Sequence, residues 1–435
     1  MHPVLALALL ATAGLLATRL PRLALPPHPS LHLDVAIVAG APLVLVGLLL
    51  GPGIELVSRP LLRALAPVIA LAIGCIGAVL GARCEWRVLR RIPRGAWALA
   101  AVSASAVFLV VALSAWLLAR WVPLLGVAWA PRLPTVLGLA AVAAVSAPRT
   151  VTRLARAAGI RRTVARAFAR AAALETACGA LAMTVPLVLS RPHPAAGNPA
   201  FAWLACSVLV GAGGALVSLV FLALTRVLPA PEHLGLELLG TLLFGAGIGY
   251  ATGLSPFVVC ALAAAAIVNA SPRRRQVQAL LAAWEQPGYA LLLILVGALL
   301  TLPTLWILVA VPLLAALRAG ARWASVRYAR EPLKLGALPP HAGLATVAQG
   351  GAAVALGINY FLMLGSWPGS SSSVAAEGAG SPAGTAGVVL TTMVLGVAVA
   401  QLAAPPLLGL VLRPTPAPLT PAPASPEFTT NAPAD

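Results

Sequence analysis

Of the 11 acidic residues in this 435-residue chain, one lies deep inside an apolar run. Glu175 sits in Ala171-Ala172-Ala173-Leu174-Glu175-Thr176-Ala177-Cys178-Gly179, about eight residues into the stretch 167–190. An ionisable group at such depth costs roughly 2.5–3.5 kcal/mol on insertion scales, so it marks a functional position by default. Burial disfavours its charged form unless a cation stands close. Two chemistries fit: exchange of a proton for a metal ion, or a structural ion pair with Arg166, Arg170 or a basic residue of another span. Asp34 and Glu237 lie near span ends within reach of headgroups, and Glu85, Glu232, Glu285 and Glu331 lie in or beside loops. The second buried candidate is Arg318, in the inner half of the run 303–326, with Arg322 one turn further on. Arginines so placed can also snorkel to headgroups.

The elements that must position these groups are membrane spans. The chain is 60% apolar and 9% charged, with a mean hydropathy of +0.96. A soluble domain carries about a quarter charged residues, and a spanning helix needs about 20 apolar ones. The reading is therefore an all-α polytopic membrane protein. Thirteen runs qualify: 3–20, 33–50, 62–82, 95–119, 134–148, 167–190, 200–225, 234–252, 255–270, 287–301, 303–326, 341–364 and 386–412. The first has no basic residues before it and two, Arg19 and Arg22, after it, unlike a signal peptide. Assigning alternate connections to one side collects 24 of the 29 basic residues there. Under the positive-inside rule this places the N-terminus outside and the C-terminus in the cytoplasm. The formal charge of +18 thus describes topology and excludes nucleic acid as the first partner to consider.

Five cysteines and six histidines show no metal-ligand spacing, and the cysteines read as small packing residues. No cofactor is expected. The stretch 365–385 is read as a flexible outer loop, and the Pro-rich residues 413–435 as a disordered cytoplasmic tail.

Two runs read as broken helices. Pro148, in Val145-Ser146-Ala147-Pro148-Arg149-Thr150, removes a backbone hydrogen bond and disfavours helix in the residue before it. Gln349, Gly350 and Gly351 interrupt the twelfth run. If residues 1–190 and 234–412 are repeats linked by a helix at 200–225, each break falls in the fifth span of its half. An odd linking helix makes the repeats inverted, and paired interruptions of this kind point to a transporter site.

The chain resembles the cation:proton antiporter superfamily, in particular the monovalent cation:proton antiporter-2 type that includes sodium/proton exchangers and potassium-efflux proteins. The resemblance is carried in order by Gly47-Leu48-Leu49-Leu50-Gly51-Pro52, Gly77-Ala78-Val79-Leu80-Gly81 and Trp86-Arg87-Val88-Leu89-Arg90-Arg91. It continues through Ser146-Ala147-Pro148 with Arg153 and Gly159, Gly253-Leu254-Ser255-Pro256-Phe257, Gln349-Gly350-Gly351 and Pro405-Pro406-Leu407-Leu408. It implies a membrane-embedded homodimer exchanging Na⁺ or K⁺ for H⁺, here in a bacterial inner membrane. With Gly179 on the family's glycine, Glu175 and Thr176 occupy its usual pair, and Thr176 replaces the second acid. An alternative register puts Gly179 and Ala180 there and leaves no ion-binding carboxylate. The basic residue of the antepenultimate helix maps onto Arg318.

Two readings follow. In the first, Glu175 binds a proton or a monovalent cation, Thr176, Ser146 and Thr150 offer neutral oxygens, and Arg318 compensates charge when the site is empty. In the second, the protein keeps the fold without transport and serves as a sensor, scaffold or partner subunit. Thr176 and the unusual Arg149 in the crossing helix point that way. A membrane-embedded enzyme is disfavoured, since neither paired aspartates nor a Cys/Ser–His arrangement is found.

Overall fold

The computed structural model describes residues 12, 41–53, 65–121, 133–157, 162–190, 199–227, 231–300, 307–333, 341–365 and 382–412. The run 3–20, apart from Thr12, lies outside the described residues. So do residues 366–381 of the expected loop and the tail 413–435.

All regular structure among the described residues is helical. In chain order the α-helices are α1 (Ala41–Leu48, continued by a π-turn at Leu49–Gly53), α2 (Ala66–Ala82), α3 (Trp86–Leu89), α4 (Arg94–Trp121) and α5 (Leu133–Ala144). Next come α6 (Pro148–Ala157), α7 (Arg162–Ala182), α8 (Thr184–Leu189), α9 (Pro199–Val227) and α10 (Leu234–Ala251). The last are α11 (Pro256–Ala270), α12 (Arg274–Leu299), α13 (Ile307–Ala329), α14 (Gly351–Gly365) and α15 (Pro382–Leu412). Among the described residues, eight helical segments are long and apolar enough to cross a membrane and four further apolar helices are shorter, and the protein is a multi-pass membrane protein. Helices suit this solvent because they satisfy their backbone polar groups internally.

Two boundaries differ from the hydropathy reading. The run 287–301 is the second half of α12, which starts at Arg274 and carries Pro287 inside it. Polar residues such as Gln276, Gln278 and Glu285 hide that first half from a hydropathy count, yet Gln278 and Glu285 face other helix ends. Residues 382–385, expected in the loop, form the first turn of α15.

The helices form two groups. In one, a panel, α2 packs on α10, α11 and α12, α9 covers α10 and α11, and α1 lies along α12. Contact between α2 and α11 is backbone-close: a Cβ on Gly77 or Gly81 would fall 2.1 and 1.9 Å from the carbonyl oxygens of Phe257 and Ala261. Small residues are the usual means of such approach in a bilayer, where apolar burial gives little drive. In the second group, α4 packs on α5, α7 and α13, and α15 packs on α13 and α14. Helix α14 also touches α2 and α12, joining the groups.

At the centre of the second group the two crossing segments meet. The first is α5, an irregular stretch at 145–147, then α6. The second is a 3₁₀ turn (Ala342–Thr346), an irregular stretch at 347–350, then α14. Ala147 N–H donates to Ala348 O at 2.8 Å, so break touches break. Helix α5 packs beside α14, and α6 beside the 3₁₀ turn. The half before one break thus pairs with the half after the other, which is the arrangement of inverted repeats.

Candidate functional site

Helix α7 buries a stripe of Phe168, Ala172, Glu175, Thr176 and Gly179, at the three- and four-residue spacing of one helical face. Gly179 lets this face reach the first break, since a Cβ there would stand 2.7 Å from Val145 Cγ2. One turn earlier, Glu175 is 2% exposed. Ser103 on α4 donates to its Oε1 at 2.8 Å, and the Thr346 hydroxyl donates to the same oxygen at 3.3 Å. Ser146, in the first break, donates to Oε2 at 2.6 Å, with Thr346 O a competing acceptor at 2.9 Å. Arg322 Nη1 completes the shell through an ion pair to Oε2.

Arg322 and Arg318 lie on the buried face of α13 with Ala310 and Leu314, while Leu308, Val309 and Leu313 face outward. Both arginines are buried, at 0% and 3% exposure, so neither snorkels. Apart from a bond from Arg322 Nη1 to the Thr346 hydroxyl at 3.1 Å, their other bonds go to the carbonyls that the breaks leave without helical partners. Gln349 Nε2 donates to Val142 O at 2.9 Å, Arg318 Nε to Ala143 O at 2.6 Å, and Arg322 Nη2 to Ala144 O at 2.7 Å. Arg318 Nη2 donates to Val145 O at 2.9 Å, and Arg318 Nη1 reaches across to Val347 O. Gln401 on α15 donates to Gln349 O. A helix C-terminus carries roughly half a negative elementary charge, so the guanidinium of Arg318 is matched largely by carbonyl dipoles. Arg322 is matched by Glu175. Its Nε has no hydrogen-bond partner among the described residues.

The structure thus brings together Glu175, Ser146, both arginines and the two breaks. It separates other members of the expected site. The Thr176 hydroxyl lies 2.7 Å from Ser146 O and 2.6 Å from Ala172 O, and donates to this backbone instead of turning to the carboxylate. Thr150 is half-buried on α6, near Gly350, and is not among the groups bonded to Glu175. Pro148 begins α6, where a missing N–H costs nothing. Gly350 packs on Ala147, and Gly351 on the ring of Tyr289. Arg318 was expected to compensate the charge of the site, but the guanidinium against the carboxylate is that of Arg322, one helical turn further along α13, which also keeps a bond to Ala144 O. Arg149, which would repel a cation if it faced the site, points instead to Glu285 of α12, 2.8 Å away. Ser103 and Thr346 were not anticipated: hydroxyls are common in spans and carry no pattern of their own. Arg322 had a signal, its four-residue spacing from Arg318. Among the described residues no three His, Cys, Asp or Glu side chains cluster as a metal site.

A solved structure of the sodium proton antiporter MjNhaP1 from Methanocaldococcus jannaschii at pH 8 superposes with a TM-score of 0.65, over 94% of this chain and 98% of that one, at 14% identity. The fold is that of a sodium/proton antiporter. An electron-microscopy structure of the same protein gives a TM-score of 0.64 at 15% identity, over 94% and 97% of the two chains. No protein-family model and no curated protein matches the sequence. Within this antiporter fold, the meeting of two broken helices around Glu175 is the place where the fold concentrates buried charge. Both of these solved structures are of a sodium proton antiporter, and neither is a potassium-efflux protein.

Proposed function

We propose that the protein is a secondary active transporter that exchanges a monovalent cation for protons by alternating access, with Glu175 as the shared binding group. The observation that carries this reading is a buried carboxylate held between two helix breaks by three hydroxyls and one guanidinium. Arg322, a proton and a cation then compete for the same Oε2. When the cation takes the carboxylate, Ser103, Ser146 and Thr346 supply neutral oxygens, the ligand type that hard monovalent ions accept. When a proton takes it, Glu175 becomes neutral and releases Arg322. Arg318 stays with the carbonyls of both breaks and keeps them together through the cycle. Thr176 and Thr150 shape the first crossing segment. One carboxylate per site makes the exchange one proton for one cation, and electroneutral.

The same proposal places the protein as a homodimer in a bacterial inner membrane, N-terminus outside and C-terminus in the cytoplasm, following the arginine asymmetry. Removing Arg318 and Arg322 from the tally of loop residues leaves that asymmetry intact. In proteoliposomes, a Na⁺ or K⁺ gradient is expected to drive a pH change that Glu175→Gln abolishes. An unchanged signal in Glu175→Gln overturns this mechanism.

One observation favours a second reading, an antiporter fold without transport that acts as a sensor, scaffold or partner subunit. Arg322 already neutralises Glu175, so the empty site is the electrically balanced one, and a bound cation adds a buried positive charge beside two arginines. This reading is adopted if reconstituted protein shows no pH change with Na⁺, K⁺ or Li⁺ between roughly pH 6 and 9.

A further inference from the structure

Glu285 is the one acidic side chain of α12 on the arginine-rich side, and it joins helices of both groups. Arg83, which ends α2 in the panel, places Nη2 2.9 Å from Glu285 Oε2 and 3.2 Å from Oε1. Arg149, in the first turn of α6 and so in the crossing group, places Nε 2.8 Å from the same Oε2. Its Nη2 also donates to Ala282 O of α12 at 2.9 Å. Other polar bonds nearby stay within the panel: Gln278 to Ala82 O, Asn269 to Cys84 O, and Arg274 to Glu85. Arg83 and Arg153 are close enough to Arg149 to repel it. Removing the carboxylate would therefore leave Arg83 and Arg149 repelling each other across the seam between α2 and α6. A cavity of about 170 Å³ opens beside the cluster, lined by Arg83, Glu85, Arg149, Gln278 and Glu285 among others.

We propose that Glu285, clamped between Arg83 and Arg149, is a latch that ties the crossing-helix group to the panel on the arginine-rich side. Alternating access in such folds moves one bundle against the other around the site. The latch holds the two groups in the position seen here, and the adjoining cavity lets water reach it. That it gates transport rests on the antiport reading; that it ties the two groups does not.

The test uses full-length protein in lipid nanodiscs, cysteine-free, with spin labels at the exposed positions Arg87 and Tyr328, one beside each group. Distances between the labels are measured by pulsed electron paramagnetic resonance. Arg149→Gln and Glu285→Gln are each expected to shift the ratio of short to long distances roughly threefold, as fits a partly exposed ion pair. Combining them should add little to either alone, because both remove one interaction. Arg149→Lys should stay near the parent, which separates loss of the tie from misfolding. Unchanged distances in both glutamine variants overturn the proposal, as does a fully additive double variant. A shift in distances from protein that moves no ions in proteoliposomes keeps the latch and removes the antiport reading.

Discussion

Arg322–Glu175 and Arg149–Glu285 join the same two side-chain types, but in different surroundings. The first pair is 0% and 3% exposed, at the centre of the crossing-helix group. The second is 35% and 18% exposed, at the seam between groups. In the first, every oxygen of the carboxylate is occupied by donors rigidly held on four separate elements. Desolvation makes an unmatched charge there costly, so the pair can change only if something else takes the carboxylate. In the second, water is at hand, and either partner can be solvated when the helices separate. Burial therefore makes one pair suited to ligand exchange and the other to opening and closing.

Breaking the central pair should have the largest effect. Arg322→Met leaves Glu175 without its cation, and loss of one partner of a buried pair costs about 3–5 kcal/mol. Thermal unfolding in detergent should show this, and adding Glu175→Gln should restore much of the stability. If the double variant is as unstable as the sum of the single ones, the pair is not the unit described here. Next is Gly179→Val, which forces α7 away from Val145; overpacking of this kind costs about 1–3 kcal/mol. It should also lower transport by shifting Glu175 away from Ser146, whereas a transport rate equal to the parent's would detach the α7 approach from the site. Ser103→Ala removes one donor to Oε1 for about 1 kcal/mol. In transport it should raise the cation concentration at half-maximal rate more than it lowers the maximal rate. At the seam, Arg149→Gln should change global stability by less than about 1 kcal/mol, although it moves the two helix groups. A loss as large as that of Arg322→Met would erase the contrast between the two pairs.

Much of the site was legible before any coordinates. Glu175 stood out because few charges survive in a chain so apolar, and the breaks at Pro148 and at Gln349-Gly350-Gly351 follow from residues that cannot continue a helix. Ser146 was found through its place in the first break. The roles of the arginines were not legible. Arg318 and Arg322 occupy one face of one helix and differ by a single turn, so spacing alone cannot say which meets the carboxylate and which meets the carbonyls. The resemblance, with Gly179 on the family's glycine, puts Thr176 beside Glu175 at the usual pair, but adjacent residues on a helix point about 100° apart. Thr346 and Ser103 lie 171 and 72 residues from Glu175 and meet it only after the helices have packed. The first half of α12 was missed because Gln276, Gln278 and Glu285 lower its hydropathy.

The sequence by itself determined that this is a multi-pass helical membrane protein, that two of its helices are broken, and that a single deep carboxylate lies near a break. Those are local properties, set by transfer free energies and by the backbone limits of proline and glycine. Only the tertiary structure decided which cation neutralises Glu175 and which hydroxyls complete its shell. It also decided that Arg149 faces Glu285 and not the site. Each of these depends on distances between helices far apart in the chain, and in a bilayer such distances are set by small-residue packing and buried polar bonds instead of by hydropathy.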